Sequence, residues 1–126
     1  EPYMVRATLN AVVAQRLVRR LCEHCVGWRE PTDAEREILG EVDATRIAEP
    51  VGCLHCLSTG YRGRVGLFEG LWVDRAVGEA ISSAATAVEI AKAAGQRLQS
   101  LRRDGLQKVV EGITTLDEVI QATVEY

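Results

Sequence analysis

Cys22-Glu23-His24-Cys25 and Cys53-Leu54-His55-Cys56 repeat one spacing, and together they contain all 4 cysteines of the chain. Two residues between cysteines allow one tight turn to aim both sulfurs at a single ion, and two such turns complete a tetrahedron. The pairs are 27 residues apart, more than the roughly 15 to 20 of common zinc sites with this pattern. The spacing therefore predicts a structural zinc site at Cys22, Cys25, Cys53 and Cys56, with an extra element inserted between the turns.

The same cysteines could instead form disulfides or redox-active pairs. Disulfides are uncommon outside secreted proteins, and the sequence begins with no basic segment followed by an apolar stretch. A redox pair usually opens a helix that follows a strand, whereas Cys22 is expected to follow a helix. Zinc is therefore favoured, and four thiolates would leave no coordination position for a catalytic water. His24 and His55 could each replace a sulfur, but a complete thiolate shell would make them bystanders.

Helical patterns cover most of the remaining chain. Apolar residues at helical spacing predict a first helix from Thr8 to Leu21. Thr32 and Glu35 have the spacing of a capping box and predict a short helix from Asp33 to about Val42, which would fill the gap between the cysteine pairs. After residue 73, four further helices are predicted: over 74–84, from the Thr86 cap to 94, from 98 to a stop at Gly112, and from the Thr115 cap to 124.

One segment has strand character. Val65 to Val73 is rich in β-forming residues and predicts a strand, with a short partner near Tyr61. The sequence therefore predicts an α+β fold that is mostly helical, with an N-terminal helix, zinc-binding cysteine turns around an inserted helix, a short β element and a C-terminal helical bundle. The expected segments are 1–21, 22–62 and 63–126.

Composition argues against several functions. The chain has 126 residues, a formal net charge of −3 and only 6 aromatic residues, which disfavours a nucleic-acid partner. No apolar run approaches the ~20 residues that span a bilayer, so membrane insertion is not predicted. Gly-x-x-x-x-Gly-Lys-Ser/Thr, Gly-x-Ser-x-Gly and His-Glu-x-x-His do not occur in the sequence. We therefore expect no catalytic residues in this chain.

Three ordered blocks carry a family resemblance. Residues 11–22 read Ala-Val-Val-Ala-Gln-Arg-Leu-Val-Arg-Arg-Leu-Cys, and residues 52–69 contain Gly-Cys-x-x-Cys-x-x-Thr-Gly-Tyr-Arg-Gly-Arg-Val-Gly-Leu-Phe-Glu. Residues 101–119 follow the pattern Leu-Arg-x-Asp-Gly-Leu-x-Lys-Val-x-Glu-Gly-x-Thr-Thr-Leu-x-Glu-Val. Together with Glu1-Pro2-Tyr3, these blocks resemble the C-terminal region of the type II secretion and type IV pilus assembly ATPase family (GspE/PulE/PilB-like).

The resemblance implies a role for the whole chain. It indicates a C-terminal accessory module of a traffic ATPase, with 1–21 leading in from an upstream RecA-like core. That core would bind ATP and Mg²⁺ within a homohexamer, whereas this chain would bind only structural Zn²⁺. The implied partners are the core itself and inner-membrane platform proteins, with the parent in the cytoplasm, peripheral to the inner membrane. The alternative is a free-standing zinc-ribbon-like adaptor that binds a protein or nucleic acid.

Several charged residues have roles that the sequence leaves open. Arg16, Arg19 and Arg20 are expected on one helix face, where one of them would contact the ATPase core. Arg62 and Arg64 flank glycines in what is expected to be an exposed turn. A solvated loop without a partner is the favoured interpretation, and pairing with a carboxylate or phosphate is the alternative. Glu69, in the adjoining strand, is expected to make a structural contact.

Overall fold

The strands of the protein form two small sheets. The computed structural model describes residues 11–40, 42–72, 74–94 and 98–123. Strand β1 (Ala11–Leu21) lies beside β4 (Tyr61–Trp72), which pairs in turn with the short β5 (Leu98–Gln99). The second sheet joins β2 (Gly27–Arg29) and β3 (Ile47–Glu49) as an antiparallel pair. Both sheets combine with helices, so the predicted mixed α+β class is confirmed.

Five α-helices complete the described part of the chain. They are α1 (Asp33–Leu39), α2 (Arg75–Ser82), α3 (Ala87–Ala94), α4 (Leu101–Val110) and α5 (Leu116–Ala122). None of these helices is long and apolar enough to cross a membrane.

The predicted N-terminal helix is wrong over residues 11–21, which form strand β1; residues 8–10 lie outside the described residues. A short apolar run containing β-branched residues can fit both the helical and the strand period, so local pattern does not separate them. A helix here would present one continuous apolar stripe, yet Val13 and Leu17 are 70% and 54% exposed. β4 supplies a neighbouring backbone, and this tertiary pairing overrides the helical pattern.

The central strand is longer than expected. β4 begins at Tyr61, so Tyr61 belongs to the strand itself and the short partner predicted near it is wrong. The neighbours of β4 are instead β1 and β5. Arg62 and Arg64 consequently lie within a strand and not in a turn, although both side chains are exposed as expected. Val73, the predicted end of the strand, lies outside the described residues.

The inserted helix α1 is confirmed, with its capping box. The hydroxyl of Thr32 accepts from the Glu35 N–H at 3.2 Å, and the Glu35 carboxylate accepts from the Thr32 N–H at 2.8 Å. The helix ends earlier than Val42, because Gly40 adopts φ of +57° directly after Leu39. The element that lengthens the gap between the cysteine pairs is therefore the one that the sequence predicts.

The later helices are confirmed, although one of them begins later than predicted. Asp74 is the N-cap of α2, and Thr115 is the N-cap of α5. Gly112, with φ of +80°, follows the end of α4. The helix predicted from Leu98 begins only at Leu101, because Leu98 belongs to β5. Val124, at the predicted end of the last helix, lies outside the described residues.

The described chain divides into two units. One contains residues 16–67 and 101–123, with all four cysteines and the main core. The other is built from residues 11–15 and the described part of 68–100, where α2 packs against α3. Each unit combines distant parts of the sequence, whereas the predicted segments follow chain order. The core of the first unit is formed by Val18, Leu39, Ala44, Ile47, Leu67, Leu106, Val109, Leu116 and Val119.

Candidate metal centre

The four cysteine sulfurs converge on one point. Their Sγ atoms all lie within 4.8 Å of one another, and all four cysteines are free thiols. The separations are 3.8 Å between Cys22 and Cys53, 3.8 Å between Cys25 and Cys56, and 3.7 Å between Cys53 and Cys56. Two of these contacts join different pairs, so the two turns face each other as the spacing predicts.

These separations match a metal site better than a disulfide. Four sulfurs at a Zn–S distance of ~2.3 Å define a tetrahedron with edges of roughly 3.8 Å. A disulfide would require about 2.05 Å between two sulfurs. Within the described residues, this is the one group of three or more cysteine, histidine or acidic side chains placed to hold a metal ion. The cluster therefore has the donor set and the dimensions of a closed tetrathiolate site.

The first turn leaves strand β1 directly. Cys22 follows Leu21, and the turn closes with a 3.4 Å hydrogen bond from the Cys25 N–H to the Cys22 carbonyl. The expectation that Cys22 follows a helix is wrong, since the preceding element is a strand. The pair still differs from a redox motif, because residues 23–25 form a turn and do not begin a helix.

The second turn is a short 3-10 helix. Leu54–Cys56 forms a single turn, after which Leu57 and Ser58 both adopt left-handed backbone conformations with φ of 56° and 63°. The Ser58 N–H donates to the Cys53 carbonyl at 2.8 Å, and the Thr59 hydroxyl donates to the Cys56 carbonyl at 2.8 Å. These bonds define the conformation of the turn, which directs both of its sulfurs toward the cluster.

Backbone N–H groups point at the sulfurs. Gly52 donates to the Cys25 sulfur at 3.3 Å, while Cys53 and Gly60 each donate to the Cys56 sulfur at 3.2 Å. N–H donors of this kind stabilise thiolates and orient metal ligands. The sequence signals for two of these donors are Gly52 and Gly60, the glycines that lie on either side of the second cysteine pair.

Gly60 connects the two turns. Its carbonyl accepts from the Cys22 N–H at 2.9 Å, while its own N–H donates to the Cys56 sulfur. The residue has φ of +83°, and a Cβ atom at this position would collide with Pro50. A side chain is therefore excluded by both backbone conformation and space.

The cysteines differ in acidity. Burial raises the pKa of the Cys25 thiol to about 11, only partly offset by the Gly52 N–H. Burial also acts on Cys56, but the N–H groups of Cys53 and Gly60 outweigh it and lower the pKa of that thiol to about 6. Cys56 is thus more readily deprotonated than Cys25. A bound cation would deprotonate the others, because a coordinating thiol loses its proton to the metal.

The two histidines lie outside the sulfur cluster. The rings of His24 and His55 stack on each other with centroids 3.8 Å apart and an angle of 18° between planes, and both residues are exposed. Neither belongs to the group of converging ligand atoms. Their position agrees with the bystander role expected from the sequence.

The arginines near the first turn do not share a helix face. Arg19 pairs with Glu118, and its guanidinium lies 4.0 Å from the centre of the Tyr61 ring. Arg20 contacts Glu23 at 3.3 Å, three residues along the chain. The predicted clustering of these arginines on one helical face is wrong because residues 11–21 form a strand. Sequence reasoning also missed Glu118 as the partner of Arg19, since 99 residues separate them.

Comparison with known proteins places the chain in a family. The family model described as "Type II/IV secretion system protein" matches residues 1–121. Type II secretion system protein E of Aeromonas hydrophila is 44% identical over 127 residues, which cover 99% of this chain and 25% of that protein. Type IV pilus assembly ATPase PilB of Thermus thermophilus is 41% identical over 130 residues, covering 99% of this chain and 15% of that protein.

A third relative, Type II secretion system ATPase E of Vibrio cholerae, is 41% identical over 130 residues and is covered to 25% of its length. The chain thus spans a quarter or less of each of these relatives. The match nevertheless extends over nearly the whole chain and includes both cysteine pairs. The chain therefore belongs to the type II/IV secretion system protein family, as its sequence blocks indicate.

Proposed function

We propose that this chain is a zinc-binding accessory module of a longer ATPase that drives protein export or pilus assembly. The observation that carries the proposal is the convergence of four cysteine sulfurs, within 4.8 Å of one another, in a chain whose relatives include secretion and pilus ATPases. Zinc at this site would be structural, because four thiolates fill the coordination shell and leave no position for substrate or water.

In this proposal ATP is bound and hydrolysed outside this chain. ATP and Mg²⁺ would be bound by a core formed by other residues of the parent protein, where the sequence blocks imply a C-terminal position for this module. The zinc module and helices α4 and α5 would stabilise that core and present a surface to platform proteins at the inner membrane. The same proposal includes a cytoplasmic location and hexameric assembly of the parent. It also includes a contact between the core and one of Arg16, Arg19 or Arg20.

Metal content tests the zinc site. We expect the purified chain to contain one zinc per molecule by elemental analysis, and replacement with Co²⁺ to give the visible absorption of tetrahedral thiolate coordination. Cys53→Ser should lose most of the metal, because the remaining three sulfurs leave an incomplete shell. A metal-free chain with intact tertiary structure would contradict the proposal.

A histidine variant is the matched control for the cysteine variant. His24→Ala combined with His55→Ala alters both cysteine turns but removes no member of the sulfur cluster. We expect this double variant to retain one zinc and an unchanged cobalt spectrum. A loss of metal or a shifted spectrum would show that an imidazole replaces a sulfur.

Nucleotide binding tests the accessory role. Isothermal titration of the chain with ATP and Mg²⁺ should give no measurable heat of binding, whereas the full-length parent should hydrolyse ATP. In the parent, Cys53→Ser should lower thermal stability and transport more than it lowers nucleotide affinity. Appreciable ATP affinity of this chain alone would place part of the nucleotide site within it and would overturn the accessory role.

A further inference from the structure

We propose that the cysteine cluster has a second, oxidised form, in which two disulfides between the turns take the place of the metal ion. Both bonds cross from one turn to the other: Cys22–Cys53 and Cys25–Cys56. The oxidant is a peroxide, with hydrogen peroxide as the probe. The inference rests on the proposed zinc site and adds to it a release of zinc that depends on redox state and leaves the chain folded.

The sulfurs of these two pairs are neighbours across the cluster. The Sγ atoms of Cys22 and Cys53 are 3.8 Å apart, and those of Cys25 and Cys56 are also 3.8 Å apart. A disulfide needs about 2.05 Å, so each pair has to close by under about 2 Å. A hydrogen bond of 2.9 Å from the Cys22 N–H to the Gly60 carbonyl also joins the turns without involving any sulfur. The geometry therefore suits bonds between the turns.

Each proposed bond combines a partly exposed cysteine with a buried one. Cys25 and Cys53, one in each turn, are partly exposed. Cys22 and Cys56 are only 1% and 5% exposed. Peroxide can therefore oxidise one cysteine of each pair, and the buried cysteine of the opposite turn resolves it. Pairing Cys22 with Cys56 instead would require two buried cysteines to react with each other, away from the oxidant.

The remaining alternative places both disulfides within the turns. Cys53 and Cys56 have sulfurs 3.7 Å apart but are separated by 3 positions in the sequence, whereas Cys22 and Cys53 are separated by 31. A disulfide restricts the unfolded chain more when it closes a longer loop. Bonds within the turns would also leave the two turns unconnected. Exchange among the four sulfurs should consequently favour the bonds between the turns, because these stabilise the fold.

The oxidation balances with two peroxide molecules per cluster. A thiolate of Cys25 or Cys53 attacks a peroxide oxygen, the O–O bond breaks, and a sulfenic acid and a hydroxide form. The thiolate of the buried partner then attacks the sulfenic sulfur, which forms the S–S bond and expels a second hydroxide. Four thiolates thus lose four electrons and two peroxides gain them. Zinc leaves because no thiolate remains to bind it.

Peroxide titration of the zinc-loaded chain tests the proposal. A chromogenic zinc indicator would follow metal release, and alkylation followed by peptide mass spectrometry would identify the disulfides. We expect one zinc to be released for every two peroxides consumed, with Cys22–Cys53 and Cys25–Cys56 as the dominant bonds. Dithiothreitol with added zinc should restore the original form, since disulfides are reducible whereas sulfinic acids are not.

Hydrogen exchange tests whether the disulfides replace the ion. Helices α4 and α5 belong to the same unit as the four cysteines. Chelation of zinc from the reduced chain is expected to raise exchange over 101–123 at least roughly tenfold, because nothing then connects the turns through their sulfurs. The oxidised chain should stay within about threefold of the zinc-loaded chain, since the cross-links hold the two turns together.

Single cysteine variants separate the two bonds. Cys25→Ser should still form Cys22–Cys53 and leave the Cys56 thiol free for alkylation. Cys53→Ser should form Cys25–Cys56 and leave the Cys22 thiol free. Both variants are expected to lose metal, but the disulfide map does not require it. If a variant fails to fold, the map of the unsubstituted chain decides between the pairings.

The histidine variant is the matched control. His24→Ala combined with His55→Ala changes both turns without removing a sulfur, so it should give the same disulfides and the same release of zinc. A chain purified without zinc would contradict the proposed function alone, because the metal-free chain can still be oxidised and mapped.

Three outcomes would overturn the inference. The first is a map dominated by bonds within the turns, Cys22–Cys25 and Cys53–Cys56. The second is an oxidised chain that carries the bonds between the turns but exchanges over 101–123 as fast as the chelated chain. The third is oxidation of the cysteines to sulfinic acids without disulfides, which would make the reaction irreversible damage and not a second form of the cluster.

Discussion

Arg19 joins three parts of the unit that contains the four cysteines, through its side chain and its backbone. Its N–H and Nε–H donate to the Glu118 carboxylate at 2.8 and 2.9 Å, and its carbonyl accepts from the Thr114 hydroxyl at 2.8 Å. Thr115 caps α5, and its hydroxyl is 2.9 Å from that of Tyr61. Glu118 therefore bonds to Arg19, and its carboxylate does not complete a capping box with Thr115.

Glu118→Ala should destabilise the chain by about 1–2 kcal/mol, because a charge-assisted acceptor is removed and the Arg19 N–H loses its partner. Urea unfolding of the zinc-loaded chain would measure the change. Glu79→Ala is the matched control, since Glu79 and Arg75 form an i,i+4 pair with side chains 71% and 92% exposed and should change stability by under ~0.5 kcal/mol. Equal effects of the two variants would argue against a special role for Glu118.

Glu35 is predicted to resist protonation. The guanidinium of Arg29 bonds both carboxylate oxygens, at 2.6 and 2.7 Å, and with the Thr32 N–H it lowers the pKa of Glu35 from 4.5 to about 2. The folded state then binds this proton less tightly than the unfolded state. The resulting stabilisation is present above pH 4.5 and is lost as the pH falls toward 2.

Arg29→Gln should raise the Glu35 pKa toward its ordinary value and flatten the dependence of stability on pH between 4.5 and 2. A carboxyl NMR titration would follow Glu35 directly. Arg36→Gln serves as the control, because Arg36 lies in the same helix but does not contribute to the shift. An unchanged Glu35 pKa in the Arg29 variant would refute the assignment.

At the scale of elements, the close approach of α4 and α5 explains a glycine inside a helix. Gly105 is buried in the middle of α4, where glycine costs about 1 kcal/mol relative to alanine. A Cβ atom there would lie 2.6 Å from Val119 Cγ1 and 3.1 Å from Leu67 Cδ1. The missing side chain therefore lets two helices and a strand pack together.

Gly105→Ala should destabilise the chain by about 1–3 kcal/mol, because the overpacking exceeds the gain in helix propensity. In a Val119→Ala background the same substitution should cost much less, or stabilise, since the clashing methyl groups are gone. A double-mutant cycle in urea would give the coupling energy directly. Additive effects of the two substitutions would show that the helices separate without strain.

At the scale of the whole molecule, the four cysteines and the last two helices belong to one unit. Val18 lies in β1 and Leu67 in β4, the strands before and after the cysteine turns in the sequence. In the core, these residues join Leu106, Val109 and Val119 of α4 and α5. Leu21, the residue before the first cysteine, also donates its N–H to the Ile113 carbonyl at 2.8 Å. Loss of metal should consequently destabilise both parts of this unit, residues 16–67 and 101–123.

Chelation of zinc should loosen α4 and α5 together with the cysteine turns. Binding of a structural zinc contributes on the order of 10 kcal/mol, comparable to the stability of a whole domain. Hydrogen exchange should increase at least tenfold over 101–123 after chelation, while peptides from 75–94 serve as the internal reference for the other unit. Unchanged protection over 101–123 would show that the helices fold independently of the metal site.

Local patterns in the sequence identified much of this protein. The cysteine spacing located the sulfur cluster, and the pairing of Thr32 with Glu35 located α1, because a tight turn and a capped helix depend on residues close in sequence. The later helices followed for the same reason. The ordered blocks around the cysteines were enough to indicate the family.

Contacts between distant residues could only be found in the fold. Residues 11–21 form a strand because β4 lies beside them. The Glu118 carboxylate bonds to Arg19, and not to the start of its own helix, because the fold brings these two residues together. The same holds for Gly105: its presence inside a helix is explained by the close contact with Val119, which the sequence does not reveal. The sequence by itself determined which cysteines converge, most helices and the family, since these depend on short-range spacing. Tertiary structure alone decided the first strand, the grouping into units and the charge partners, because backbone pairing and close packing depend on residues far apart in the chain.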